Sequence, residues 1–95
     1  MSTEKSDSAR KRKYEIFLED KVKADLDQLT DAEFRRVDEK ISALQHDPRP
    51  SHSKKLDNDM YRVRSGDWRV IYMVDDRRQR VVVSRVKRRN ERTYR

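Results

Sequence analysis

Residues 60–74 have the sequence MYRVRSGDWRVIYMV, in which two alternating apolar and polar runs meet at the only glycine of the chain. A glycine accepts the positive φ that a tight hairpin turn requires. With Gly66-Asp67 at the centre of a two-residue turn, Arg64 lies opposite Arg69 on the neighbouring strand. The pattern therefore predicts an antiparallel hairpin whose register is set by this turn.

The two faces of the hairpin differ in chemistry, because successive side chains of a strand point to opposite sides. One face carries Tyr61, Val63, Trp68, Val70, Tyr72 and Val74. The other face carries Arg62, Arg64, Arg69, Ile71 and Met73. The first face is predicted to form the core. It also fixes the register, since a slip of one residue would expose it.

The opposed arginines, Arg64 and Arg69, are unfavourable by themselves. Like charges facing each other across two strands destabilise a sheet by up to about 1 kcal/mol. The pair is therefore expected to share a bound anion, or to be neutralised by a carboxylate such as Asp67. The planar guanidinium group is well suited to phosphate, which favours a phosphate site over an internal carboxylate.

Two helices are predicted upstream of the hairpin, after a first strand at residues 14–18. Their apolar stripes are Leu18, Val22, Leu26 and Leu29 in the first and Phe34, Val37, Ile41 and Leu44 in the second. Between them, residues 30–33 read Thr-Asp-Ala-Glu, a capping box, and Leu29 and Phe34 are placed to form a hydrophobic staple. Residues 47–50 end the second helix, and a polar loop is predicted at 51–59.

The predicted fold class is α+β. An N-terminal strand and an antiparallel helix hairpin precede a three-stranded antiparallel β-meander, whose third strand covers residues 80–87, and a short C-terminal segment follows. All strands are expected to form one twisted sheet. A chain of 95 residues fits one domain, which we assign to residues 14–95. Residues 1–13 are expected to be a disordered basic arm.

Composition excludes several classes of site. The chain has no cysteine, so it has neither disulfides nor thiolate metal sites. It has no apolar run long enough for a signal peptide or a membrane span, so a cytoplasmic protein without membrane contact is expected. Its histidines, His46 and His52, flank two prolines and lack the spacing of a metal-ligand pair. We interpret both as ordinary loop residues, and no cofactor or metal is expected.

Charge is distributed unevenly along the chain, whose net charge is +7. Residues 1–13 carry five Lys/Arg and two acids, and residues 14–60 carry eight and twelve. Residues 61–95 carry twelve Lys/Arg and four acids. A strongly basic final third behind an acidic middle is typical of a protein that binds a polyanion such as nucleic acid.

The C-terminal residues add further basic groups close to a tyrosine. They are Arg85, Lys87, Arg88, Arg89, Arg92 and Arg95, with Tyr94. A tyrosine beside arginines can stack on a base or transfer a proton. A solvated basic tail with one anchoring aromatic residue is an equally good interpretation of the same spacing.

Residues 61–72 resemble the central hairpin of the RelE/ParE toxins of bacterial and archaeal type II toxin–antitoxin systems. The helix end at 41–48, the Lys-Lys-Leu at 54–56 and the basic ending at 83–94 are similar too. The resemblance covers roughly residues 14–95, and it is specific in the order and spacing of the motifs together rather than in any one of them.

The resemblance implies a function. Toxins of the RelE branch cut mRNA in the ribosomal A site, where the 2′-hydroxyl of the RNA attacks the neighbouring phosphate without a metal ion. By position, the implied catalytic residues are Arg62, Arg64, Arg69, Arg88 and Tyr94. The expected RNA-binding residues are Lys54, Lys55, Arg85, Lys87 and Arg89, of which Arg89 is also an alternative to Arg88. A toxin of this kind inhibits translation.

One departure from RelE concerns the general base. RelE has lysines where Arg62 and Arg64 stand, and one of those lysines is a candidate base. Arginine is a poor base, because its pKa stays above about 12. The sequence leaves Lys87, Glu91 and Tyr94 as candidates.

The ParE branch shares the fold but poisons DNA gyrase. A gyrase inhibitor and a non-catalytic RNA-binding module are therefore the alternatives, although Tyr94 with its upstream arginines favours the RelE branch. The implied partners are a RelB-like antitoxin, the ribosome and mRNA. The antitoxin is expected to be acidic or amphipathic, and its complex with the toxin is expected to bind operator DNA.

Overall fold

A computed structural model describes residues 13–88, which form five strands and two helices. The elements are β1 (Glu15–Leu18), α1 (Asp20–Leu26), α2 (Asp31–Ala43), β2 (Lys54–Asp57), β3 (Met60–Ser65), β4 (Trp68–Asp75) and β5 (Arg80–Arg88). The predicted arm, except for Lys13, lies outside the described residues. Neither described helix has the length and apolar character needed to cross a bilayer.

The strands form one sheet in the order β1-β5-β4-β3-β2. The β1 strand runs parallel to β5, and the other pairs are antiparallel. The predicted α+β class and the three-stranded meander are therefore confirmed. The predicted loop at 51–59 is wrong, because β2 lies within it. All four residues of β2 are exposed, so backbone pairing with β3 creates this edge strand and no apolar alternation signals it.

The hairpin register is as predicted. Arg64 pairs with Arg69, and Tyr61 pairs with Tyr72. The apolar face of the hairpin is buried against both helices and the valines of β5. The buried apolar residues are Val22, Val37, Ile41, Leu44, Val63, Trp68, Val70, Tyr72, Val74, Val81, Val83 and Val86. Each contributes on the order of 1.5 kcal/mol or more from burial, so this face pins the arginines to the opposite side.

The turn depends on a left-handed residue. Gly66 has φ of 61°, and a Cβ added there would meet only the Arg36 guanidinium at 3.9 Å. The cost of a side chain is therefore conformational rather than steric. We expect Gly66→Ala to lower the free energy of unfolding by about 1–2 kcal/mol, and Gly66→Asn by less, because Asn tolerates this conformation. Thermal unfolding measures both; an alanine variant as stable as the wild type would contradict the argument.

The capping box forms as predicted at the start of α2. The Glu33 amide donates to Thr30 Oγ1 at 3.1 Å, and the Thr30 amide donates to Glu33 Oε1 at 3.0 Å. The second of these bonds is the main reason why the pKa of Glu33 lies below its usual value. The box therefore sets the boundary between the two helices.

Two residues of the predicted stripes are not in the core. Phe34 is 43% exposed and Leu18 is 38% exposed. Leu18 ends an edge strand, and the buried positions of α2 begin only at Val37, one turn after Phe34. Both side chains line a surface groove between β1 and α2, so the predicted staple does not bury Phe34.

The segment between α2 and β2 is anchored on both sides of Pro50. The buried Tyr72 hydroxyl donates to the Pro48 carbonyl at 2.8 Å, and burial raises the pKa of this tyrosine to about 12. Arg49 forms an ion pair of 2.7 Å with Asp76. The Ser53 hydroxyl donates to the Pro50 carbonyl at 2.7 Å. These contacts fix the path of the chain through residues 48–53.

Candidate nucleic-acid interface

Strand pairing gathers basic residues from four strands on the face of the sheet opposite the core. Residues paired across strands lie on the same face. One row across the sheet contains Lys54, Arg62, Ile71 and Arg85. The next row contains Arg64, Arg69 and Lys87. We call the surface formed by Lys54, Arg62, Arg64, Arg69 and Lys87 the basic face.

A pocket of about 390 Å³ opens on this face beside β2. Its lining residues are His52, Ser53, Lys54, Arg62 and Arg64. Within residues 13–88, no carboxylate forms an ion pair with Arg62 or Arg64. Asp67, the acid considered for neutralising Arg64, does not do so in this part of the chain. The pocket therefore presents two guanidinium groups and an ammonium group to any anion that enters.

The backbone of Arg85 is paired in a row of the basic face, but its guanidinium group binds a carboxylate of α1. Its Nε and Nη2 donate to the carboxylate of Asp25 in α1 at 2.9 and 3.1 Å. Asp25, which is only 8% exposed, also accepts the Val86 amide at 2.9 Å. The hydrogen bonds from Arg85 are the main reason why the pKa of Asp25 lies below its usual value. Arg85 thus joins α1 to the sheet and lies away from the pocket.

Arg88 lies on the other side of the sheet. It pairs with Trp68, and its guanidinium lies 5.6 Å from the Trp68 ring centre and 4.0 Å from Glu33 Oε2. The cause is a β-bulge in β5, where the register shifts between Val83 and Arg85. The extra residue turns Arg85 and Lys87 toward the basic face and Arg88 toward the core side.

The predicted site residues are therefore only partly brought together. Arg62, Arg64 and Arg69 share one face, as the hairpin register predicted, and Lys54 and Lys87 lie on the same face. Lys55 pairs with Tyr61 and so lies on the opposite side. Arg89, Glu91 and Tyr94 lie outside the described residues. Their roles, like those of the other site residues, stay predictions.

His52 is the pocket residue that sequence reasoning missed. It lies in the turn just before β2 and lines the pocket together with Arg62 and Arg64. Only recognition of β2 at residues 54–57 would have placed it there. Between residues 13 and 88, no three acidic or histidine side chains are grouped so as to hold a metal ion.

The chain is similar to toxins of toxin–antitoxin systems. The sequence matches, over residues 16–93, the family described as "ParE toxin of type II toxin-antitoxin system, parDE". No curated protein matches it. The archaeal RelE–RelB complex from Pyrococcus horikoshii OT3 matches with 28% identity and a TM-score of 0.73, covering 82% of this chain and 97% of that chain.

Two bacterial structures are similar as well. The toxin–antitoxin complex RelBE2 from Mycobacterium tuberculosis matches with 26% identity and a TM-score of 0.72, over 81% of this chain and 92% of that chain. The isolated RelE toxin of E. coli matches with 20% identity and a TM-score of 0.72, over 81% and 85%, and shows the fold alone. The match to the family covers most of the chain, and the sheet and helix hairpin are those of RelE. This chain belongs to the ParE toxin family of type II toxin–antitoxin systems, within the RelE/ParE superfamily.

Proposed function

We propose that this toxin is a ribosome-dependent endoribonuclease that cuts mRNA in the A site and so inhibits translation. The supporting observation is the basic face, on which Arg64 stands directly opposite Arg69 beside the pocket lined by Arg62. Arg64 itself has no carboxylate partner among residues 13–88. A phosphate group between the strands would be attracted by both guanidinium groups.

The arginines would stabilise the transition state of phosphate attack. When the 2′-hydroxyl oxygen of RNA attacks the adjacent phosphorus, negative charge builds on the non-bridging phosphate oxygens. Arg62 and Arg64, which have no carboxylate partner in the described part of the chain, would donate to those oxygens together with Arg69. A single preorganised donor of this kind contributes about 3 kcal/mol to catalysis. Lys54 and Lys87 flank the group and would hold the RNA backbone.

The partners follow from the same surface and from the relatives. The P. horikoshii and M. tuberculosis structures are toxin–antitoxin complexes, and a RelB-like antitoxin would hold this toxin inactive in the cytoplasm. A segment with acidic groups would be attracted to the basic face. The residues outside the described part, including Tyr94, would complete the site on the ribosome, and the antitoxin complex would bind operator DNA.

The second candidate is inhibition of DNA gyrase, and one observation favours it. The matching family is described as the toxin of parDE, the branch that, as the resemblance implies, acts on gyrase. In that case the basic face would bind without cutting RNA.

Primer extension on cellular mRNA after induced expression distinguishes the two functions. We expect new 5′ ends within minutes, confined to translated regions and phased with codons, because the site would act on the A-site codon. A start-codon deletion in the reporter message is the control and should abolish the cuts. Intact mRNA together with gyrase-dependent DNA breaks would overturn the ribonuclease proposal and support the second candidate.

A further inference from the structure

We propose that His52 is a catalytic residue of this toxin and accepts the proton from the attacking 2′-hydroxyl. The inference rests on the proposed ribonuclease function and adds the proton acceptor that the arginines cannot supply. A guanidinium stays protonated throughout the physiological pH range, so Arg62 and Arg64 can stabilise charge but cannot take up a proton. Imidazole is the side chain that most often performs this step in enzymes.

His52 lies next to the arginines that would hold the phosphate. It lines the same pocket as Arg62 and Arg64, two residues before the first residue of β2. A phosphate held by these arginines would lie within one side-chain length of the imidazole. His46, the other histidine of the chain, is exposed and does not line this pocket.

The chain on both sides of His52 is anchored by hydrogen bonds and an ion pair. On the N-terminal side, the Pro48 carbonyl accepts the buried Tyr72 hydroxyl, and Arg49 is held by Asp76. On the C-terminal side, both the amide and the hydroxyl of Ser53 donate to the Pro50 carbonyl, at 2.8 and 2.7 Å. A general base must be placed within hydrogen-bond reach of its proton, and these anchors hold the backbone of His52 for that purpose.

The contact with Lys40 identifies which ring nitrogen of His52 carries the acceptor lone pair. Nε2 of His52 lies 3.3 Å from the Lys40 ammonium nitrogen. An ammonium group donates hydrogen bonds and accepts none, so this contact requires the lone pair of the imidazole to be on Nε2 and the proton on Nδ1. When substrate enters, the Lys40 ammonium would turn to the RNA backbone, which would leave the Nε2 lone pair to the 2′-hydroxyl.

The proposed step balances without a cofactor. Nε2 takes the 2′-hydroxyl proton as the oxygen forms a bond to the adjacent phosphorus. The bond from phosphorus to the 5′-oxygen of the next nucleotide breaks, and that oxygen leaves with a proton from the imidazolium or from water. The products are a 2′,3′-cyclic phosphate and a 5′-hydroxyl end.

The test compares His52→Gln with the matched control His46→Gln in single-turnover cleavage of mRNA on programmed ribosomes. We expect His52→Gln to be slower by about 100-fold or more, the usual effect of losing a general base, and His46→Gln to be within about threefold of wild type. Added imidazole should restore part of the rate to His52→Ala, and binding of the variants to ribosomes should be unchanged.

Wild-type toxin tests the ribonuclease function, and the His52 variants test the role of His52. Wild-type toxin that leaves mRNA intact on the ribosome would overturn both proposals. Wild-type toxin that cuts, with His52→Gln cutting at the same rate, would overturn the role of His52 and leave the ribonuclease function standing. A slow His52→Ala variant that melts like the wild type but gains nothing from imidazole would also count against proton transfer, since a purely structural role predicts that result.

Discussion

Replacing Arg64 with glutamine is expected to reduce mRNA cleavage by about 100-fold or more, the usual loss for one preorganised donor, and to abolish growth inhibition. The same substitution should leave the fold at least as stable as before. Arg64 is exposed, faces Arg69 and has no ion pair with a described carboxylate. Removing its charge relieves a repulsion that costs from a few tenths to about 1 kcal/mol.

This opposition between activity and stability is what separates a functional arginine from a structural one. Single-turnover cleavage gives the first quantity, and denaturant unfolding gives the second. Arg77→Gln is the control, because Arg77 is an exposed arginine of the turn between β4 and β5, remote from the pocket. An Arg64→Gln variant that kept full cleavage, or that lost both activity and stability, would count against the phosphate site.

Replacing Asp25 with alanine is expected to have the largest effect on stability. Its carboxylate accepts two hydrogen bonds from Arg85 and one from the Val86 amide. Breaking this ion pair should cost less than breaking a fully buried one. The Arg85 side chain is 39% exposed, so water compensates part of the lost interaction. We expect the free energy of unfolding to fall by about 2–3 kcal/mol and the melting temperature by about 10 °C or more.

Asp27→Ala is the matched control for this substitution. Asp27 is exposed and lies two residues after Asp25, immediately after the end of α1, so its loss should change the melting temperature by only a few degrees. Equal effects of the two substitutions would show that the link between α1 and β5 is unimportant for stability.

The ionisation of Asp25 should make the free energy of unfolding depend on pH. Because Arg85 lowers the pKa of Asp25 in the folded protein, the ionised form stabilises the fold. This contribution is complete above the unfolded pKa, about 3.9, and is lost as the pH falls through the lower folded value. We therefore expect the stability difference between wild type and Asp25→Ala to be constant near pH 7 and to narrow below about pH 4. A difference that widened in acid would contradict the assignment.

Local patterns in the sequence determined the centre of this fold. The glycine turn and the alternation on either side of it fixed the pairing of Arg64 with Arg69, since the turn geometry and the buried face allow one register only. The capping box at Thr30 likewise needed only neighbouring residues. The convergence of Arg62, Arg64 and Arg69 followed from this local information alone.

Contacts between segments distant in sequence decided the edge strand, the pocket and the facing of the residues at the end of β5. The edge strand β2 exists because β3 offers backbone partners, which no side-chain pattern records. Its position brings His52 into the pocket. The bulge in β5 reverses the facing of every residue after it, so that Arg88 meets Trp68 while Lys87 joins the basic face. A one-residue shift in pairing moves a side chain to the other face of a sheet, and only the assembled sheet fixes where that shift occurs.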